Sequence, residues 1–238
     1  MERYSKVILA LIGINILMFI LAANDVTGST ETLSLYYIDN ERFGIWQFAT
    51  HIFMHGGFMH LLVNMFGLLM FGTPIEQTLG AKRFLIFYFI SGLGAALFYL
   101  VINYFQFQQV YQILVDSGLE PSYINNMLAS QQYPPSLLSE EQAKTILGIY
   151  HVPMVGASGA LYGTLAAVGV LFPETKVALI FLPVPIPAKY FIPVLISIDI
   201  ILGITGYPLF GMNVAHFAHV GGALTGFLLI LYWRRYRK

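Results

Sequence analysis

The sequence predicts an all-α membrane protein, built as a bundle of six transmembrane helices. Of its 238 residues, 57% are hydrophobic and only 10% are charged, whereas a soluble domain carries about 25% charged residues. Mean hydropathy is +0.71. Long apolar stretches recur along the chain. Most basic residues flank these stretches at the ends that would lie on one side of a membrane. Because so little charge cannot cover a water-exposed surface, we expect most of the surface to contact lipid.

The first apolar stretch, 7–23, follows a polar and basic start and is predicted to be an uncleaved helix. A signal peptide would end in an Ala-x-Ala site ahead of a soluble body, and here further apolar stretches follow. The other predicted spans are 53–71, 84–102, 154–172, 190–204 and 214–233. The segment at 177–189 contains alternate prolines, which forbid a regular helix. We interpret it as an interfacial connector leading into the short fifth span.

Basic residues orient the predicted bundle. Six spans place both chain ends on one side, and most lysines and arginines fall on that side: Arg3, Lys6, Lys82, Arg83, Lys176, Lys189, Arg234, Arg235, Arg237 and Lys238. The other side holds only Arg42 and Lys144. Such a bias is typical of the cytoplasmic side. We therefore expect cytoplasmic termini and a multi-pass protein of the bacterial inner membrane.

The chain, 1–238, is predicted to form one domain with two long outer segments, a loop at 24–52 and an insertion at 103–153 between the third and fourth spans. Ser139 and Gln142 in the insertion form a capping-box pattern ahead of a helical run. We therefore expect the insertion to consist of short surface helices joined by turns.

Several chemistries are excluded or disfavoured. Net charge is zero and Cys is absent, which argues against nucleic-acid binding and excludes disulfides, thiolate metal sites and a cysteine nucleophile. His51 and His55 are four residues apart, which invites a metal site, but we favour a role in tying the outer loop to the second span. No HExxH helix is present, so neither a metal nor a cofactor is expected. Asp199 in the fifth span has no evident partner in the sequence.

Polar side chains in three spans are predicted to meet. His60 and Asn64 are four residues apart in the second span, as are Ser158 and Tyr162 in the fourth, so each pair shares a helical face. The second, fourth and sixth spans, the last of which carries His219, all enter from the outer side. Counted from the predicted span starts, Ser158, His219 and His60 lie roughly 6, 8 and 10 Å deep. Such matched depth indicates a shared site.

Small residues favour close contact between the fourth and sixth spans. Glycines recur four residues apart in both, and small-xxx-small faces let membrane helices approach closely. They are Gly159, Gly163, Gly222 and Gly226. His219 lies on the side of the last two glycines, whereas His216 lies closer to the outer water. We therefore expect His219, and not His216, to reach Ser158.

This constellation indicates nucleophilic catalysis. A serine hydroxyl needs a base to take its proton, and His219 can serve Ser158 in that way. The tetrahedral intermediate needs hydrogen-bond donors, for which the N–H of Ser158, His60 and Asn64 are suitable. No carboxylate is near His219 in sequence, so we infer a Ser–His dyad in which Tyr162 packs against the imidazole and orients it.

Three segments, 46–64, 156–163 (GASGALYG) and 218–226 (AHVGGALTG), closely resemble the motifs of the rhomboid intramembrane serine proteases. Gly156 opens the second motif, and we expect it to join the packing glycines of the fourth and sixth spans. The resemblance implies Ser158 as nucleophile, His219 as base, and substrates that are transmembrane segments of other proteins.

The same resemblance implies His60 and Asn64 as oxyanion donors and Tyr162 stacked on the base. Two features depart from the family. Gln47 follows the loop tryptophan where family members often have Arg, and the insertion at 103–153 is not part of the minimal six-helix core.

The function implied is an intramembrane serine endopeptidase that cleaves transmembrane segments near the outer membrane face. Two alternatives come from other classes: a non-catalytic relative that binds membrane clients, and a metal-dependent protease or transporter. A substrate helix would approach sideways from lipid, so we predict that the fifth span and the loop at 205–213 form a gate.

Overall fold

The computed structural model describes residues 5–24, 28–179, 182–206 and 215–235. Within these ranges the chain forms eleven α-helices and one two-stranded hairpin. The helices are α1 (Lys6–Ala23), α2 (Ser29–Leu33), α3 (Gln47–Thr50), α4 (Phe58–Gly67), α5 (Thr73–Leu79), α6 (Ala81–Asp116), α7 (Pro121–Ser130), α8 (Glu140–His151), α9 (Ser158–Leu171), α10 (Ala188–Thr205) and α11 (His216–Arg235). The strands are β1 (Lys176–Leu179) and β2 (Leu182–Pro187).

Five helical stretches in the described chain are long and apolar enough to cross a membrane. They are α1, the continuous stretch Phe58–Leu79, α6, α10 and α11. The stretch Phe58–Leu79 comprises α4, a π-helical turn at Leu68–Gly72 and α5. The remaining predicted span corresponds to α9, which is apolar but has 14 residues. A helix of that length rises about 21 Å, less than the roughly 30 Å hydrocarbon core.

The second and fourth spans begin later than predicted. The second span begins at Phe58 because residues His51–Phe53 form a separate 3₁₀ turn. The fourth begins at Ser158 because Met154 is held in extended backbone by an isolated bridge to Leu35. The two residues exchange N–H···O bonds of 3.0 and 2.8 Å. A segment paired in this way cannot also make helical hydrogen bonds.

The third span continues far beyond its predicted end at residue 102. Helix α6 has 36 residues, about 54 Å at the usual rise, so its last part belongs to the predicted insertion. Phe107, Val110 and Leu114 are buried there at helical spacing. They share an apolar cluster with residues of α7 and α8, and Phe107 stacks on Tyr37 with ring centroids 4.6 Å apart. The insertion is therefore a helical layer packed on the outer loop.

The capping-box prediction for the insertion is confirmed. Ser139 Oγ accepts from Gln142 N at 3.2 Å, and Gln142 Oε1 accepts from Ser139 N at 2.9 Å. These bonds satisfy free donors at the start of α8.

The alternate prolines of the predicted connector at 177–189 lie in an extended strand and not in a helix, as expected, but the strand pairing was not foreseen, and the last two residues of the connector already belong to α10. The strands form an antiparallel hairpin in which Lys176 lies opposite Pro187. A two-stranded hairpin has only edge strands, which tolerate proline. Lys189 pairs with Glu174 at 2.7 Å beside the hairpin, and α10 begins directly after β2. Residues 207–214, which include most of the predicted gate loop and Pro208 and Gly211, lie outside the described residues.

Gln47, the departure from the family pattern, itself holds the outer loop. Its side chain is fully buried. The amide oxygen accepts from Tyr36 N at 3.2 Å. The amide nitrogen donates to the carbonyls of Arg42 at 2.8 Å and Thr32 at 3.2 Å. One glutamine therefore connects three separate points of the loop.

Candidate active site

Helices α9 and α11 touch through their glycines, as the spacing predicted. A Cβ built on Gly222 would lie 2.7 Å from the carbonyl carbon of Gly159. A Cβ on Gly226 would lie 2.5 Å from Gly163 Cα. Real Cβ atoms essentially never approach backbone this closely. The two helices therefore contact backbone to backbone, which brings their first turns together.

Ser158 is the first residue of α9. The first N–H groups of a helix have no intrahelical acceptor, and the helix dipole makes this end favourable for negative charge. Gly156, two residues earlier, has φ of +118°, a conformation that favours glycine. A Cβ there would lie 2.7 Å from His60 Nε2. Gly156 therefore gives the chain the bend and the space that place Ser158 at the helix start.

His219 lies in the first turn of α11 and reaches Ser158. Its Nε2 is 2.9 Å from Ser158 Oγ, a normal hydrogen-bond distance. Its residue surface is 8% exposed. The hydroxyl and imidazole that the sequence placed at similar depth are thus in contact, on the two helices joined by the glycines.

Tyr162 stacks on His219. The ring centroids are 4.1 Å apart and the planes differ by 11°. This is the contact expected from the position of Tyr162 one turn after Ser158. Tyr162 therefore covers one face of the imidazole whose Nε2 faces the serine.

No carboxylate is near His219 in sequence, but the structure places one beside its imidazole. Asp199 Oδ1 lies 3.0 Å from His219 Nδ1 and 2.6 Å from His216 Nδ1. Tyr162 Oη donates to Asp199 Oδ2 at 2.5 Å. The aspartate comes from α10 and is 20 residues from His219 in sequence. Spacing within one helix could not reveal this contact.

Asp199, His216 and His219 also offer metal-ligand atoms within 4.8 Å of one another. Their short contacts are the hydrogen bonds just described, with the carboxylate oxygen between the two imidazole nitrogens. Separations of 2.6 and 3.0 Å are normal hydrogen-bond distances.

The two predicted oxyanion donors are placed differently. A Cβ built on Gly156 would lie 2.7 Å from His60 Nε2 and 3.6 Å from Ser158 Oγ. His60 and the serine hydroxyl therefore flank the same small space. Asn64 is buried, and its Nδ2 donates to the carbonyl of His60 at 3.0 Å. An amide has two N–H donors, so this bond leaves one for a ligand.

His51 and His55 are buried just before the second span. His51 Nδ1 lies 2.8 Å from the carbonyl of Gln47, and the carbonyl of His51 accepts from Gly156 N at 3.0 Å. The backbone bond ties the outer loop to the segment before α9, and the role predicted for the His51 and His55 side chains at the second span stays a prediction. Burial lowers the pKa of His51 and of His55 to about 4. Both are neutral at pH 7.

Comparison with known proteins identifies the family of this chain. Residues 42–236 match the Rhomboid domain, and the chain belongs to the rhomboid family. The presenilin-associated rhomboid-like protein, mitochondrial, of Rattus norvegicus is 32% identical over 181 residues, 76% of this chain and 36% of the relative. The human protein of that name is 27% identical over 230 residues, 95% of this chain and 48% of the relative.

A bacterial relative also matches. The putative rhomboid protease YdcA of Bacillus subtilis is 36% identical over 86 residues, which are 36% of this chain and 43% of the relative. The chain thus spans between about a third and a half of the length of these curated relatives. Its membership of the rhomboid family and its long apolar helices together show that it is an integral membrane protein. Because the rat and human relatives are named as mitochondrial, the names do not support the bacterial inner membrane expected from the sequence.

Proposed function

We propose that this protein is an intramembrane serine endopeptidase that cleaves transmembrane segments of other membrane proteins near the outer membrane face. The observation that carries the proposal is the 2.9 Å contact between Ser158 Oγ and His219 Nε2. It joins a hydroxyl at a helix N-terminus to a buried imidazole, which is the arrangement of an activated nucleophile.

The proposed reaction has two halves. Ser158 Oγ attacks the peptide carbonyl carbon while its proton moves to His219 Nε2, which forms a tetrahedral intermediate. This intermediate collapses, the C–N bond breaks, and His219 gives the proton to the departing amine. A water molecule then attacks the acyl-enzyme, with His219 again taking and returning a proton. The carboxylate product leaves and Ser158 regains its hydroxyl.

Stabilisation of the oxyanion is assigned to three groups. The N–H of Ser158 is free of intrahelical bonding at the start of α9 and lies at the positive end of the helix dipole. His60 lies beside the same space. Asn64 keeps one N–H beyond its bond to His60. Removing one such donor typically lowers kcat by about 10²–10³, so variants of His60 and Asn64 are expected to slow cleavage.

The membrane is proposed to supply the substrate sideways. Helix α10 presents apolar side chains outward, and Val194, Ile198 and Ile201 are 58%, 45% and 58% exposed. In a bilayer these face lipid. A substrate helix beside α10 would have to move past this face and unwind before its peptide bond reached Ser158, because helical peptide bonds are shielded.

The six-span topology with cytoplasmic termini is also proposed, supported by the ten basic residues against two. The absence of Cys makes this directly measurable. Single cysteines at Lys82 and Asn126 should react with an impermeant maleimide from opposite faces of sealed vesicles. Labelling of both from one face would overturn the topology.

Cleavage itself is tested with purified protein reconstituted with single-span membrane proteins, mapping the cut by mass spectrometry. Ser158→Ala and His219→Ala should each abolish cleavage and fluorophosphonate labelling. His216→Ala should retain labelling and lose at most part of the rate. Substantial turnover by Ser158→Ala would overturn the mechanism. Wild-type protein that binds clients without cleaving or labelling would identify a non-catalytic relative.

A further inference from the structure

Asp199 is a carboxylate buried inside an apolar helix bundle, with 4% of its surface exposed. Burying a charge is costly unless hydrogen bonds and partners compensate it. Its two oxygens face three donors: His216 Nδ1 and His219 Nδ1 at one oxygen and Tyr162 Oη at the other. Two of these three donors belong to the candidate base and the ring stacked on it.

We propose that Asp199 is a positioning residue that fixes the tautomer and orientation of His219. The inference rests on the proposed proteolytic function for its kinetic consequences, but the proton position can be measured without proteolysis. The site would then be a Ser–His–Asp arrangement assembled from α9, α11 and α10.

The charge of Asp199 determines which nitrogen of His219 carries the proton. An ionised carboxylate only accepts hydrogen bonds, so the nitrogen facing it must carry the proton. His219 Nδ1 faces Asp199, which leaves the lone pair on Nε2, the nitrogen that faces Ser158 Oγ. Only this tautomer can take the serine proton. With the proton on Nε2 the neutral imidazole would donate to the hydroxyl and could not act as its base.

The geometry holds the whole imidazole. Ser158 contacts one nitrogen of His219, Asp199 contacts the other, and Tyr162 covers a face at 4.1 Å between ring centroids. Tyr162 also donates to the second carboxylate oxygen. The ring stacked on the base therefore also orients the carboxylate that orients the base.

A purely structural role would make Asp199 a tie between α10 and α11 through His216, whose contact is the shorter one at 2.6 Å. The two roles differ in their consequences. Loss of a tie would change stability and substrate affinity but leave the tautomer of His219 unchanged. Loss of a positioning carboxylate would change the tautomer and kcat.

The experiment combines nitrogen NMR of histidine-labelled protein in micelles with single-substrate kinetics. In the wild type the His219 signal, assigned by its loss in His219→Ala, should be that of the Nδ1–H tautomer. In Asp199→Asn the new amide can donate to Nδ1, so the signal should shift toward the Nε2–H tautomer. We expect kcat to fall about 10²–10⁴-fold, by analogy with the equivalent change in a serine protease triad, with KM changed less than threefold.

Three further variants sharpen the result. Asp199→Glu keeps the charge and should recover part of kcat. Ser197 is on the same helix and exposed, and its hydroxyl donates to the carbonyl of Pro193 in α10, so Ser197→Ala should match the wild type. His216→Ala should keep the Nδ1–H tautomer of His219.

The outcomes separate the inference from the proposed function. A wild-type His219 in the Nε2–H tautomer would overturn the inference even if no Asp199 variant folded. So would Asp199→Asn with an unchanged tautomer and kcat within threefold of wild type. Wild-type protein with the Nδ1–H tautomer and no cleavage of any substrate would overturn the proposed function and leave the positioning role in place.

Discussion

Gly222→Ala tests whether the backbone contact between α9 and α11 holds the active site together. The added Cβ would lie 2.7 Å from the carbonyl carbon of Gly159 and closer still to its oxygen. Ordinary contact begins at 3.4 Å, so the helices must part by at least about 0.7 Å. Because the clashing atoms of Gly159 belong to the backbone, rotation of a side chain cannot relieve the clash.

The separation is large enough to break the candidate catalytic contact. Ser158 would move with α9 and His219 with α11. Their 2.9 Å hydrogen bond would therefore lengthen beyond the roughly 3.2 Å limit of normal geometry. Overpacking of this kind typically costs about 1–3 kcal/mol. The intrinsic gain of Ala over Gly in a helix is about 1 kcal/mol, so we expect a net loss of stability as well as of activity.

The assay measures thermal unfolding in detergent and the rate of fluorophosphonate labelling. Gly222→Ala should label at least tenfold more slowly and unfold at a lower temperature. Gly13→Ala is the matched control, since Gly13 is in membrane helix α1 with nothing within 4 Å of an added Cβ. Wild-type labelling and stability in Gly222→Ala would refute the contact between the helices.

Three further predictions concern the outer segments. Gln47→Ala should lower the free energy of unfolding by about 1–3 kcal/mol because it leaves buried backbone groups unpaired. Gln109→Ala on the exposed side of α6 is the control and should have little effect. Equal melting temperatures for the two variants would contradict the role of Gln47. His51 and His55 have folded pKa values of about 4 against about 6.5 unfolded. Their contribution is therefore intact above pH 6.5 and lost as pH falls toward 4, with a slope of up to about 1.4 kcal/mol per pH unit each; a melting temperature that stays constant between pH 7 and pH 5 would be the contrary result. Replacing 112–145 with a short linker should reduce cleavage of membrane substrates more than of peptides, and equal rates before and after would indicate a passive insertion.

Local periodicity explains why much of the site could be predicted. Helical spacing converts separations of three and four residues into shared faces, which is why Ser158 and Tyr162, and the glycines beside His219, could be assigned to facing surfaces. Spacing did not predict that one N–H of Asn64 donates to the carbonyl of His60, and the role of its other N–H at the oxyanion stays a prediction. Spacing fixes a face of a helix but not a side-chain rotamer.

The sequence by itself determined that this is an apolar helical protein of the membrane and which serine and histidine meet. Composition and small-residue spacing are properties of each helix alone, and they favour burial in lipid and close approach of helices. Only the tertiary structure decided that α9 starts at Ser158, because the bridge between Leu35 and Met154 joins distant segments. It likewise decided that Asp199 lies at His219, because the relative height and rotation of α10 and α11 depend on packing between helices and not on the pattern within either one.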